Sequence, residues 1–258
     1  DTPLSENRHM AKKAIGIDIG GTGIKGALVD IKEGELISDR IRMETPEGGR
    51  PDDMAAVVRA IVDQLGADED VAVGICFPAV VQNGVAKSAA NISSEWIDYD
   101  ADEHFTDALG RPVHMLNDAD AAGYAEAKFG AAKKQKGLAI LTTLGTGIGT
   151  ALLYNGTLIP NSELGHLPLR GASAEKFAAF SVKEREALTW EAWAERLQEY
   201  YTLLENLLVP DLFIVGGGVS KEHEFFLPLL NLKTPIVPAE LKNAAGIIGA
   251  ATLASKQD

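Results

Sequence analysis

The stretch Ile15-Gly16-Ile17-Asp18-Ile19-Gly20-Gly21-Thr22-Gly23-Ile24-Lys25-Gly26-Ala27-Leu28-Val29-Asp30 decides how the chain is read. Two apolar runs flank a turn dense in glycine, which predicts a buried strand, a tight turn and a second strand. Gly20, Gly21 and Gly23 allow backbone conformations closed to other residues and let N–H groups approach an anion. Asp18 puts a carboxylate at the end of the first strand, and Thr22 and Lys25 add a hydroxyl and a cation. That combination suits a phosphate chain carrying Mg²⁺.

The stretch recurs. Gly145-Thr146-Gly147-Ile148-Gly149-Thr150-Ala151-Leu152 repeats Gly21 to Leu28 at six of eight positions, 124 residues further on. Two related halves, each presenting a glycine turn to one cleft, are therefore expected. Gly21-x-Gly23-x-x-Gly26 has the form of a dinucleotide fingerprint, but that motif must open a helix. Ile24 to Val29 is instead rich in strand formers. Ala27 stands where the Walker A pattern requires Lys. A hairpin with a purely structural role remains the alternative for one copy, and the repeat weighs against it.

With 258 residues the chain can form one large or two moderate domains with ample core. Its net charge of −13 argues against general nucleic-acid binding, though not against a local basic groove. The single cysteine, Cys76, excludes an internal disulfide and a cysteine-built zinc site. The longest largely apolar run, Ala244 to Ala254, is 11 residues, too short to span a bilayer. No signal peptide is visible, so a cytoplasmic protein without membrane contact is expected.

Residues 1–13 are polar and are set apart as a disordered tail. Glu35 to Glu44 reads as a third strand, and Asp52 to Leu65 as an amphipathic helix with Met54, Val57, Val58, Ile61 and Leu65 on one face. Val71 to Phe77 is a continuous apolar run, as in a strand covered on both sides. Val113 to Leu116 is a further strand, and Asn117-Asp118-Ala119-Asp120 opens an alanine-rich helix to about Phe129. Ala174 to Glu186 and Thr189 to Leu208 read as helices, the second with an apolar stripe from Trp190 through Trp193, Tyr200 and Tyr201 to Leu208. Leu212 to Val215 is a buried strand ending in Gly216-Gly217-Gly218, and Leu241 to Ser255 a helix rich in Ala and Gly.

Five separated motifs resemble one family: Asp18-x-Gly20-Gly21-Thr22, Leu116-Asn117-Asp118-Ala119, Leu144-Gly145-Thr146-Gly147, Glu163-Leu164-Gly165-His166 and Ile214-Val215-Gly216-Gly217-Gly218. In order and spacing they are similar to the repressor/open-reading-frame/kinase (ROK) sugar kinases of the actin-like ATPase superfamily. Within that family the chain resembles the actinobacterial polyphosphate glucokinases and polyphosphate/ATP glucomannokinases.

The resemblance implies an α/β protein of actin-like, ribonuclease H-like fold, with two domains around a cleft. Residues 14–116 with 241–258 would form one domain and 117–240 the other. It implies transfer of a phosphoryl group from polyphosphate or ATP, with Mg²⁺, to the 6-hydroxyl of glucose, with mannose as a second candidate acceptor. Asp118 matches the catalytic base; its other reading is a helix N-cap. Gly21, Thr22, Lys25, Thr146 and Gly147 fall on the two phosphate turns, Asp18 would hold Mg²⁺ through water, and Gly216 to Gly218 would admit the adenosine of ATP. Asn91, Asn117, Asp118, Glu163, His166 and Glu175 would bind the hexose. Some relatives carry a zinc held by cysteines just after this His. Residues 167–180 contain none, so no structural zinc is expected. Lys128, Lys133, Lys134 and Lys136 form a basic cluster that reads as a polyphosphate contact or a solvated face. A homodimer is compatible with the resemblance. A sugar-sensing regulator is the alternative, but the family's repressors carry an N-terminal DNA-binding module, whereas the first strand here begins near Ala14.

Overall fold

The computed structural model describes residues 12–89 and 92–256. Most of the stretch set apart as a tail, and Asn91, lie outside the described residues.

The first half runs β1 (Lys13–Ile19), β2 (Ile24–Asp30), β3 (Glu35–Leu36), β4 (Ile41–Met43), α1 (Pro51–Leu65) and β5 (Val73–Phe77). A small meander follows, β6 (Val81–Gln82), β7 (Val85–Ala86) and β8 (Tyr99–Asp100), then α2 (Ala101–Leu109), β9 (Val113–Asn117) and α3 (Asp118–Phe129). The second half has β10 (Leu138–Leu144), β11 (Ile148–Tyr154), β12 (Thr157–Ile159), β13 (Pro168–Leu169) and β14 (Ala172–Ser173). It continues with α4 (Glu175–Ala178), α5 (Phe180–Arg185), α6 (Trp190–Leu208), β15 (Leu212–Gly216), β16 (Ile236–Pro238) and α7 (Ala245–Ala254).

The two principal sheets share one plan. In the first the order is β3-β2-β1-β5-β9, with β4 also on β2; in the second it is β12-β11-β10-β15-β16. Each begins with an antiparallel glycine hairpin and adds parallel strands on the other side of it. Helices cover the outer faces. Met54, Val58 and Ile61 of α1 and Phe105 of α2 pack under the first sheet with Ile17, Phe77 and Trp96. Trp193, Leu197, Tyr200, Tyr201 and Leu204 of α6 pack under the second with Ile140, Leu144 and Phe213. The polar edges of this core are paired: Trp96 Nε1 donates to Gly49 O at 2.9 Å, Trp193 Nε1 to Ala178 O at 2.9 Å, and Tyr201 shares a 2.6 Å hydrogen bond with Thr142.

Between the sheets lie α3 and α7, packed on one another. Helix α3 rests on β11, and α7 crosses back to rest on β1 and β5. The chain can approach itself this closely because its contact residues are small. A Cβ on Gly16 or Gly74 would strike the α7 backbone at Ile247 or Ala250, and one on Gly249 would strike Ala121 of α3.

Three sequence readings are corrected in detail. The strand expected over Glu35 to Glu44 is two pieces, because Ser38 Oγ accepts from Leu28 N (3.0 Å) and donates to Asp39 O (3.0 Å), so a side chain takes over the ladder position. The helix expected over Ala174 to Glu186 breaks at Ala179, which is extended (φ −60°, ψ 156°). The break lets Ser181 N donate to Gly145 O at 3.0 Å and Ser181 Oγ to Thr146 O at 2.6 Å, tying α5 to the second glycine turn. The last helix starts at Ala245, after a short 3-10 turn over Lys242–Ala244. Among the described residues no helix is long and apolar enough to cross a membrane.

Candidate active site

Both glycine turns open on one cavity of about 530 Å³. Gly20 and Gly21 line it from the first sheet, Gly145, Thr146 and Gly147 from the second, and Asn117, Asp118, Glu163, His166 and Glu175 form its polar wall. Thr22, Gly23 and Lys25 do not line it. Of the Gly216 to Gly218 run only Gly217 reaches it; its φ of 83° and its closeness to the Leu144 backbone leave no room for a Cβ.

Asp118 follows the end of β9 directly. Asn117 is the N-cap of α3: its Oδ1 accepts from Ala119 N (2.8 Å) and Asp120 N (3.2 Å), and its Nδ2 donates to Ala79 O (3.1 Å). The capping role weighed for Asp118 thus belongs to its neighbour. Asp118 Oδ1 also accepts from Ala119 N at 2.8 Å, and its carboxyl faces the cavity. Its surroundings are mostly protein, so loss of hydration pushes its pKa up to about 6; the Ala119 amide opposes this, and the charges of Asp18 and Glu163 add to it. In the first turn of α3, Asp120 is 1% exposed and pushed up to about 7 by burial, against the hydrogen bond that its Oδ2 accepts from Asn161 N at 2.7 Å.

His166 lies between two carboxylates. Its Nδ1 is 3.6 Å from Glu163 Oε2 and its Nε2 is 3.6 Å from Glu175 Oε1. Burial pushes the Glu163 carboxyl above its usual range, His166 opposes that push, and the Glu175 charge adds to it. Glu175 joins this cluster to the second turn, since its Oε2 accepts from Ile148 N at 3.4 Å and lies where a Cβ on Gly147 would be.

Asp18 sits across from Lys25 in the β1–β2 ladder, with Nζ 3.2 Å from Oδ2. The thiol of Cys76 is 3.6 Å from Oδ1 and is pushed well up by burial and by the Asp18 and Asp118 charges, so it stays protonated and donates. A Cβ on Gly246, in the first turn of α7, would stand 3.9 Å from the Asp18 carboxyl. The positive end of that helix therefore faces the carboxylate. The Asp18 charge acts on Asp118, and Lys25 is ion-paired to Asp18. Hard oxygen donors in excess of cations fit Mg²⁺, which is held by one or two carboxylates plus substrate phosphates. Among the described residues no three His, Cys, Asp or Glu side chains form a metal cage.

Sequence reasoning missed Pro78, Ala79, Ser88 and Thr143, which also line the cavity. No sequence signal singled out Thr143, because the repeat aligns Asp18 with Thr142, and only the strand register gives Thr143 the place of Asp18.

The sequence model of the ROK family matches residues 14–179. A polyphosphate glucokinase from Mycobacterium tuberculosis (strain CDC 1551 / Oshkosh) is 46% identical over 252 residues, covering 97% of this chain and 94% of that protein. The crystal structure of an inorganic polyphosphate/ATP-glucomannokinase from Arthrobacter sp. strain KM superposes with a TM-score of 0.90 at 48% identity, covering 95% of this chain and 99% of that one. A ROK family glucokinase from Streptomyces griseus, solved with glucose and AMPPNP, superposes with a TM-score of 0.80 at 25% identity, with coverage of 95% and 99%. With the family's sequence pattern over most of its length and relatives matching it nearly end to end, this chain belongs to the ROK family.

Proposed function

We propose that this chain is a hexose kinase that transfers a phosphoryl group from inorganic polyphosphate or ATP to the 6-hydroxyl of glucose, with mannose as a second acceptor. The observation that carries the reading is the convergence of Asp118, the Glu163–His166–Glu175 cluster and both glycine turns on one cavity. The named relatives support it in substrate and donor.

Phosphoryl transfer depends on positioning and on neutralising charge. Glu163, His166, Glu175 and Asn117, with Asn91 outside the described residues, offer fixed donors and acceptors to sugar hydroxyls. An analogue lacking a hydroxyl leaves one of these groups unpaired, which is how such a wall rejects wrong sugars. Asp118 orients the 6-hydroxyl and accepts its proton late; with a pKa of about 6 it is mostly ionised at neutral pH yet basic enough to take a proton. The amides of Gly21, Thr146 and Gly147, which line the cavity, make no hydrogen bond among the described residues and can hold phosphate oxygens, with Thr22 beside them in the first turn. Lys25 and Gly20 to Gly23 shape the first turn, and Gly216 to Gly218 give the adenosine of ATP a wall without side chains. Asp18 would hold Mg²⁺ together with the donor phosphates, where the ion supplies charge neutralisation. The lobes are residues 14–116 with 241–258, and residues 117–240. A cytoplasmic location belongs to the same reading.

A coupled assay for glucose 6-phosphate, with glucose and either donor, tests the reading. Product with at least one donor is expected; none with both would overturn it in favour of a sugar-sensing role.

A further inference from the structure

A second cavity, of about 830 Å³, lies on the other side of Asn117, which is the one residue lining both. Its walls come from both halves: the β6–β7 turn and β9 on one side, the β11–β12 turn on the other, with α3 and the end of α7 between them.

Two lysines face it. Lys128 Nζ is 5.4 Å and Lys256 Nζ 5.3 Å from the centre of the Tyr124 ring, and neither has a carboxylate partner among the described residues. Two ammonium groups on one ring, without a carboxylate partner among the described residues, give this part of a chain of net charge −13 a local positive potential. The other members of the basic cluster, Lys133, Lys134 and Lys136, do not line this cavity.

Behind the lysines the wall is polar and incompletely satisfied. Tyr124 OH and Asp120 Oδ1 are buried and have no hydrogen-bond partner, and both side chains are more than nine-tenths buried. Such atoms are rare in folded proteins and costly when left unpaired. The amides of Gln82 and Asn83 stand at the rim, and Leu116, Leu158 and Leu253 supply apolar surface. Asp120 Oδ2 meanwhile accepts from Asn161 N, and Asn161 exchanges two hydrogen bonds with the Val81 backbone, at 2.9 and 3.2 Å. The wall is thus a seam joining the two lobes.

We infer that this cavity binds a phosphate monoester of a polyol, with Lys128 and Lys256 on the phosphate and Asp120, Tyr124, Gln82 and Asn83 on the hydroxyls. Two ammonium groups match the charge of a phosphate dianion, and buried acceptors and donors match hydroxyls better than they match further anionic oxygens. Because both lobes form the walls, a bound ligand fixes their relative setting.

Titration calorimetry of the full chain with glucose 6-phosphate tests the assignment, with inorganic phosphate and glucose as controls. The expected result is a binding event that persists in Glu163→Gln, a change in the first cavity, and weakens at least about tenfold in the double variant Lys128→Gln/Lys256→Gln. Tyr124→Phe, which keeps the ring under both lysines, should weaken it several-fold, and added salt should weaken it further. No turnover is required, so an inactive enzyme still gives an answer. The assignment is overturned if no event survives Glu163→Gln, if the lysine variant binds as the parent does, or if inorganic phosphate binds as tightly as the sugar phosphate.

Discussion

The two glycine hairpins carry nearly the same sequence and do different work. In the first, the ladder ends at Ile19 opposite Ile24 and four residues make the turn, closed by Gly20 N donating to Gly23 O at 3.1 Å. In the second, it ends at Leu144 opposite Ile148, three residues make the turn, and Gly145 N donates to Gly147 O at 3.1 Å. One residue fewer shifts the incoming strand by one position against the repeat. Asp18 therefore corresponds to Thr143, not to Thr142, as the two hairpin ladders show: one pair in from the turn, Asp18 lies opposite Lys25 and Thr143 opposite Gly149. Thr142 is buried on Tyr201 instead. The first hairpin presents charge beside the cavity, while the second presents backbone and hydroxyls and is braced by Glu175 and Ser181. A duplicated motif has become one charged turn and one neutral, braced turn.

The largest effect belongs to the group that both hairpins face. Asp118→Asn should leave the fold intact, because Asn117 caps α3. It should lower kcat by about 10²–10⁴-fold, or roughly 3–5 kcal/mol of barrier. In the parent, kcat should fall as pH drops below about 6, where Asp118 gains a proton. Steady-state rates with both donors against pH check this. A variant within a few-fold of the parent would place the base elsewhere.

The hairpins themselves are compared by Asp18→Asn and Thr143→Val. If Asp18 holds the ion through water, its loss should raise the Mg²⁺ concentration needed for half-maximal rate by about 10–100-fold. Thr143→Val should shift it only a few-fold. Equal shifts, read from Mg²⁺ titrations of the rate, would remove the division between a charged and a neutral turn.

Glycine for alanine gives a smaller contrast. On Gly147 the new methyl displaces the Glu175 carboxylate, so the glucose KM should rise up to about tenfold. On Gly23 it meets the flexible end of Arg42, 2.9 Å away, and the rates should stay within about twofold. A Gly23→Ala change as damaging as Gly147→Ala would show that the first turn is braced as well.

The smallest effect is one of stability, at the seam under α3. Asp120 keeps its proton in the folded protein up to about pH 7, while the unfolded chain loses it near the ordinary value of 3.8. Protonation therefore stabilises the fold, fully below about pH 4, and that contribution is lost as pH rises through about 7. Asp120→Asn removes the dependence, so its Tm relative to the parent should climb between those pH values. Thermal melts at both ends check it, and a constant difference would mean that Asp120 is ionised throughout.

Local sequence determined much of this protein. The hairpin over Ile15 to Asp30, the helix after Asn117 and the aromatic face of α6 follow from apolar period, glycine and caps, which act between residues close in the chain. Motif order carried the family, and with it the polar wall from Asn117 to Glu175. Tertiary structure decided what depends on distant neighbours. The break at Ala179 exists because Ser181 bonds to the second turn, and the crossing of α3 with α7 needs Gly249 beside Ala121. Asn117 rather than Asp118 became the cap, which left Asp118 facing the cavity. The correspondence of Thr143 to Asp18 was hidden for the same reason: identity between repeats aligns residues along the chain, whereas strand register is set by the length of the turn and by the partner strand. Lys128, grouped by sequence with its neighbours, was paired by the fold with Lys256 from the far end of the chain.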